Sequence, residues 1–77
     1  MKLFPLQSVA EGASPLIDQG HTIFQQFLCS GCGIKQTMSE PNLFYTSGKC
    51  EECSTTTDIV KDGCNYMAIM NMEKTND

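Results

Sequence analysis

Arginine is absent from this chain of 77 residues, and Lys2, Lys35, Lys49, Lys61 and Lys74 are its only permanently cationic side chains. They are scattered without a cluster and stand against nine carboxylates, for a formal net charge of −4. Non-specific nucleic-acid binding rests on several basic contacts to phosphate, and base readout usually adds arginine. Both supports are thin, so bulk charge disfavours a polyanion partner. A local face combining Lys35 and Lys49 keeps nucleic-acid binding open as the alternative.

Long apolar runs are missing as well. No stretch approaches the ~18 residues of a membrane-spanning helix. Met1-Lys2-Leu3-Phe4-Pro5 lacks the sustained apolar core of a signal peptide. With an odd number of cysteines, five, this points to a reducing cytoplasm, although a nuclear location is chemically equivalent. The chain has no glycine-rich phosphate loop, nucleophile elbow or H-E-x-x-H sequence, and no internal repeat beyond its paired cysteines.

Those pairs are Cys29-Ser30-Gly31-Cys32 and Cys50-Glu51-Glu52-Cys53, two C-x2-C units separated by 17 residues. The spacing is that of a four-thiolate zinc site. Zn²⁺ has a filled d shell and settles into a tetrahedron of soft donors at about 2.3 Å. Two residues between cysteines let one tight turn aim both sulfurs at the ion while backbone N–H groups bond to the thiolates. Gly31 and Gly33 suit the first turn. The second has Ser54 where the first has Gly33, and Gly48 is expected to bend the chain ahead of Cys50. The expected ligands are Cys29, Cys32, Cys50 and Cys53 around one Zn²⁺ per chain. Four thiolates subtract four charges and the ion adds two, taking the formal charge from −4 to −6. Disulfides, a redox C-x-x-C and an iron–sulfur cluster are the competing readings. Cys64 reads as a small residue in or beside the core and His21 as a surface histidine, so neither joins the ligand set.

A chain this short struggles to bury enough apolar area to offset about 1.5 kcal/mol of ordering cost per residue. Structural zinc supplies on the order of 10–16 kcal/mol of apparent binding free energy in small peptides, which becomes folding free energy. The expected fold class is therefore small, metal-stabilised and mainly β, with antiparallel strands and two cysteine knuckles. Residues 1–21, carrying Pro5, Gly12, Pro15 and Gly20, read as an irregular, extended N-terminal arm, 22–72 as the metal-built domain and 73–77 as a flexible tail. Ile23, Phe24, Phe27 and Leu28 in Thr22–Leu28 suit one face of a short helix as well as an irregular strand, and the β-branched and aromatic content favours a strand. Asn42–Thr46 is a second candidate strand, and each leads into a knuckle. Thr55–Val60 and Asn65–Met70 read as a hairpin joined through Asp62-Gly63. The last run is apolar on both faces, which suits a core strand, while Met67, Met70 and Met72 alternatively make an adaptable partner-binding patch.

Phe27-Leu28-Cys29-Ser30-Gly31-Cys32-Gly33 and Gly48-Lys49-Cys50-Glu51-Glu52-Cys53 resemble the two knuckles of the zinc-ribbon group, a likeness covering about residues 22–70. It implies a small antiparallel sheet with the metal clamped between two turns. Thr37 through Pro41-Asn42 to Phe44-Tyr45-Thr46-Ser47-Gly48, followed by Thr57-Asp58-Ile59, also resembles small uncharacterised zinc-ribbon proteins encoded by bacteriophages and prophages. That likeness implies no particular activity; with phage origin the location would be the host cytoplasm. The functional expectation is a non-enzymatic zinc-binding interaction module with an unidentified protein partner, for example a host protein it binds or inhibits. The alternative is a nucleic-acid-binding or transcription-regulatory zinc ribbon, with Phe44 and Tyr45 stacking bases. No catalysis is expected, because four cysteines close the zinc shell and leave no position for water.

Overall fold

The computed structural model describes residues 1–70. The tail at 73–77 and Met72 lie outside the described residues.

The N-terminal segment is not an extended arm but a helix, α1, Leu6–Asp18. Its apolar residues Leu6, Val9, Ala13, Leu16 and Ile17 recur at helical spacing, and Val9 and Ala13 are buried. Two of the residues that suggested a broken chain are in fact the helix's boundaries. Pro5 stands at its N-terminus and Gly20, with φ of 98°, lies just past its end. Gly20 N–H donates to Ile17 O at 3.0 Å and His21 N–H to Leu16 O at 3.0 Å, closing the last turn with the paired bonds of a Schellman motif. Gly12 and Pro15 are tolerated against propensity, in a helix whose packing on the sheet supplies what local preference withholds.

Thr22–Leu28 forms β1 as the composition suggests. Burial alternates along it, with Ile23, Gln25 and Phe27 inward. It pairs antiparallel with β2, Lys35–Thr37, across the first cysteine turn, with Leu28 opposite Lys35. The second cysteine turn likewise joins β3, Ser47–Lys49, to β4, Thr56–Asp58, with Lys49 opposite Thr56. Each C-x2-C is therefore the turn of its own antiparallel hairpin.

Three strand expectations need correction. Asn42–Thr46 is not a strand; the strand ahead of the second knuckle begins at Ser47. Asn42–Thr46 is tied to β1 by one backbone bond, Asn42 N–H to Ile23 O at 2.7 Å, and by side chains: Gln25 holds the backbone N–H and C=O of Tyr45, and Asn42 Oδ1 accepts from Ile23 N–H at 2.8 Å. The run from Thr55 to Met70 does not fold back on itself. Its first half pairs with β3 and its second half, β5 (Asn65–Ile69), pairs with β1, placing β1 between β2 and β5. A single helical turn, α2 (Ile59–Asp62), separates the halves, because Asp58 Oδ1 caps Lys61 N–H at 3.2 Å and Gly63 ends the turn at φ of 89°. Finally, β5 is not a core strand throughout: Met67 and Ile69, with Met70 just beyond, are solvent-exposed.

Val9, Phe27, Ile59 and Cys64 form the core, with Leu6, Met38, Phe44 and Tyr66 packed around it. The first three join helix, sheet and α2, so the core lies beneath the cysteine hairpins and fixes their bases. Gly48 does not bend the chain; it lies in β3 under the Phe27 ring, where an added Cβ would fall 2.5 Å from Cε1. That contact locks the two sheets together. No helix among the described residues is long and apolar enough to cross a membrane.

Candidate metal centre

The two cysteine turns share one backbone design. Cys29 N–H donates to Ile34 O at 3.1 Å and Gly33 N–H to Cys29 O at 2.9 Å. At the corresponding places Cys50 N–H donates to Thr55 O and Ser54 N–H to Cys50 O, both at 2.9 Å. Gly33 has φ of 77° and Ser54 φ of 63°. Ser54 thus adopts the left-handed conformation that glycine takes in the first turn, so its departure from glycine leaves the geometry intact at a cost of about 1–2 kcal/mol.

Both turns also aim N–H groups at sulfur. Gly31 and Cys32 N–H approach Cys29 Sγ at 3.2 and 3.4 Å, and Glu52 N–H approaches Cys50 Sγ at 3.3 Å. Such bonds stabilise thiolates. Glycine is required at 31 for space: an added Cβ would sit 2.6 Å from Thr55 Oγ1 and 3.3 Å from Cys53 Sγ.

The sulfurs of Cys29, Cys32, Cys50 and Cys53 all lie within 4.8 Å of one another. Across the hairpins Cys29 and Cys53 are 3.4 Å apart and Cys32 and Cys50 3.7 Å. A regular tetrahedron with metal–sulfur bonds of about 2.3 Å has edges of about 3.8 Å. The cluster thus has close to the dimensions of a tetrathiolate cage, and its all-sulfur donor set suits zinc or iron rather than a hard cation. Cys29 and Cys50 are buried while Cys32 and Cys53 are exposed, so the cage sits at the surface with its floor in the core.

Crowded thiols cannot all ionise alike. Cys29 is held down to about 6, chiefly by the Cys32 N–H; burial opposes this, and the Gly31 N–H and the neighbouring thiols assist. Cys32 is pushed up to about 12: the Ile34 N–H works downward, but burial and side-chain hydrogen bonds to Cys29, Cys50 and Cys53, which hold its proton, outweigh it. Cys53 is lowered by the Thr55 hydroxyl and N–H. A dication eases this conflict by stabilising all four thiolates at once and offsetting half of their negative charge.

Cys64 is buried among Val9, Phe27 and Ile59, where burial raises its thiol and Gln25 Nε2, at 3.7 Å, partly offsets the rise. His21 Nδ1 lies 3.2 Å from Leu16 O. Neither belongs to the cluster.

Three polar residues around the centre carry no sequence motif. Buried Gln25 donates to Tyr45 O at 2.9 Å and accepts from Tyr45 N–H at 2.8 Å. Buried Thr57 bonds to Ser30, and Thr55 to Cys53. Strand alternation in Thr55-Thr56-Thr57 is the one signal that would have placed two hydroxyls on the knuckle side.

No protein-family description, curated protein or solved structure matches this chain.

Proposed function

We propose that this chain is a non-enzymatic zinc-stapled module that acts by binding another protein. The observation that carries the metal reading is the convergence of four sulfurs from two backbone-equivalent hairpins within 4.8 Å. Cys29, Cys32, Cys50 and Cys53 would hold the ion, which would offset half of their negative charge and link the two hairpins. Four thiolates leave a tetrahedral ion no open position for substrate, which supports a structural role.

The interaction reading is supported by what the fold leaves uncovered. Met67, Ile69 and Met70 lie exposed at the end of β5, and adaptable methionine surfaces suit protein partners. The likeness to phage-encoded zinc ribbons favours a host protein as that partner. The competing reading, a nucleic-acid-binding zinc ribbon, is favoured by the exposure of Lys35, Lys49 and Tyr45.

A native mass spectrum of protein purified without chelator tests the metal reading: one zinc per chain is the expected result, and a folded, metal-free chain overturns it. A stoichiometric protein partner that is retained by wild type and lost in Met67→Asp and Ile69→Asp supports the interaction reading. Oligonucleotide affinity that falls steeply with salt, with no protein partner, replaces it by the competing one.

A further inference from the structure

The two cysteine hairpins belong to different sheets, yet their sulfurs meet in one cage. Core packing at Phe27 and Gly48 joins their bases. At their tips the polar contacts come from β4, the strand that leaves the second knuckle. Thr55, just ahead of it, and Thr57 within it are two residues apart, so both hydroxyls face the first knuckle.

Thr57 is completely buried, and its Oγ1 accepts from Ser30 N–H at 2.9 Å while donating to Ser30 Oγ at 3.3 Å. Ser30 is the first residue between Cys29 and Cys32. One hydroxyl therefore satisfies the backbone and the side chain of the first knuckle from the strand that continues the second. Thr55 reaches the other side of the cage. Its Oγ1 lies 3.2 Å from Cys53 Sγ and packs so closely over Gly31 that a Cβ there would fall 2.6 Å away. A hydroxyl both donates and accepts, so when Cys53 is a thiolate the same contact runs from Thr55 O–H to sulfur.

We infer that Thr55 and Thr57 are positioning residues of the metal centre: together they latch the first cysteine knuckle onto the second, making one preformed cage out of two half-sites. The inference rests on the metal reading above and goes beyond it by assigning the outer shell. Thr57 sets the separation of the hairpins through Ser30. Thr55 shields and orients the exposed ligand Cys53. Outer-shell partners of this kind typically govern metal affinity by 10- to 100-fold.

The test uses the full chain, reduced and loaded with Zn²⁺ or with ¹¹³Cd²⁺, as wild type, Thr57→Val, Thr57→Ser, Thr55→Val and Ile59→Val. The last shortens a buried side chain in the core and serves as a control for general loss of stability. Two quantities are read: the rate of Zn²⁺ transfer to a chromophoric chelator, and the ¹¹³Cd chemical shift at saturation, which reports the electronic surroundings of the sulfurs and not the folding equilibrium. Thr57→Val is expected to release zinc about 10- to 100-fold faster than wild type, with Thr57→Ser close to wild type. Thr55→Val is expected to move the ¹¹³Cd resonance, while Ile59→Val leaves it in place. If the threonine-to-valine variants match Ile59→Val in both readouts, the latch is overturned while the metal reading stands. If wild type takes up neither ion, the metal reading itself falls and the latch with it.

Discussion

Position 48 shows how much of this molecule depends on single atoms. Glycine there lets the Phe27 ring lie flat on β3, and the nearest ring carbon would be 2.5 Å from an added Cβ. Neither the buried ring nor the β3 backbone can withdraw cheaply, so Gly48→Ala is expected to lower the stability of the metal-loaded protein by about 1–3 kcal/mol, as overpacking does. Urea unfolding monitored with metal present measures it, and an unchanged midpoint would refute the contact. Cys64 yields a prediction of a different kind. Burial lifts its thiol above the ordinary 9.0, so the unfolded chain loses this proton at lower pH than the folded one. The stabilising effect is complete below about pH 9 and is lost as pH rises through the folded value. Relative to Cys64→Ala, wild type should therefore lose stability above about pH 9, and iodoacetamide should leave Cys64 unmodified until the fold opens. A stability difference between the two proteins that is flat with pH would show that Cys64 is not buried in this way.

At the scale of elements, the segment between β2 and β3 is held to β1 by two backbone bonds, from Met38 N–H to Gln25 O and from Asn42 N–H to Ile23 O, and at Tyr45 by a side chain where a sheet would use backbone. Gln25 presents an amide to Tyr45 and replaces the two bonds of a strand partner. Gln25→Leu keeps the volume and removes both bonds, leaving a buried edge without its partner. The expected cost is about 1–3 kcal/mol, and the Tyr45 amide should exchange with solvent markedly faster. Protection at Tyr45 that survives the substitution would assign the segment's order to packing of Phe44 instead. The same residue explains a difference between sequence and fold. Asn42–Thr46 has strand composition, but its partner is a glutamine side chain on β1, which no local pattern announces. Similarly, Thr55–Met70 has the composition of a hairpin. The Asp58 cap and the burial of Ile59 turn the chain through α2, so that its halves pair elsewhere.

For the whole molecule, the core of Val9, Phe27, Ile59 and Cys64 is small, and the cysteine hairpins extend beyond it. Without metal, four crowded thiols replace a metal-linked cage. Excess chelator is therefore expected to abolish near-UV circular dichroism and amide dispersion together, and re-addition of Zn²⁺ to restore both. Native-like signals after complete chelation would mean that helix and sheet fold without the staple. The exposed Met67, Ile69 and Met70 belong to this scale too, since no element among the described residues buries them.

By itself the sequence determined the cysteine quartet and the two turns that carry it. A C-x2-C turn closes within six residues, and its N–H to sulfur bonds depend on nothing further away. For β1 its β-branched and aromatic content pointed to a strand, but the apolar spacing suited a helix face equally, and pairing with β2 and β5 decided it. The tertiary structure decided the rest. Pro15 and Gly12 argue against a helix that exists because Val9 and Ala13 find a sheet to cover. Strand partners for β4 and β5 were chosen by contacts with residues far along the chain. The roles of Thr55 and Thr57 appear only once the first knuckle is brought against them, because a hydroxyl in a β-prone run has no meaning until its acceptor and donor arrive.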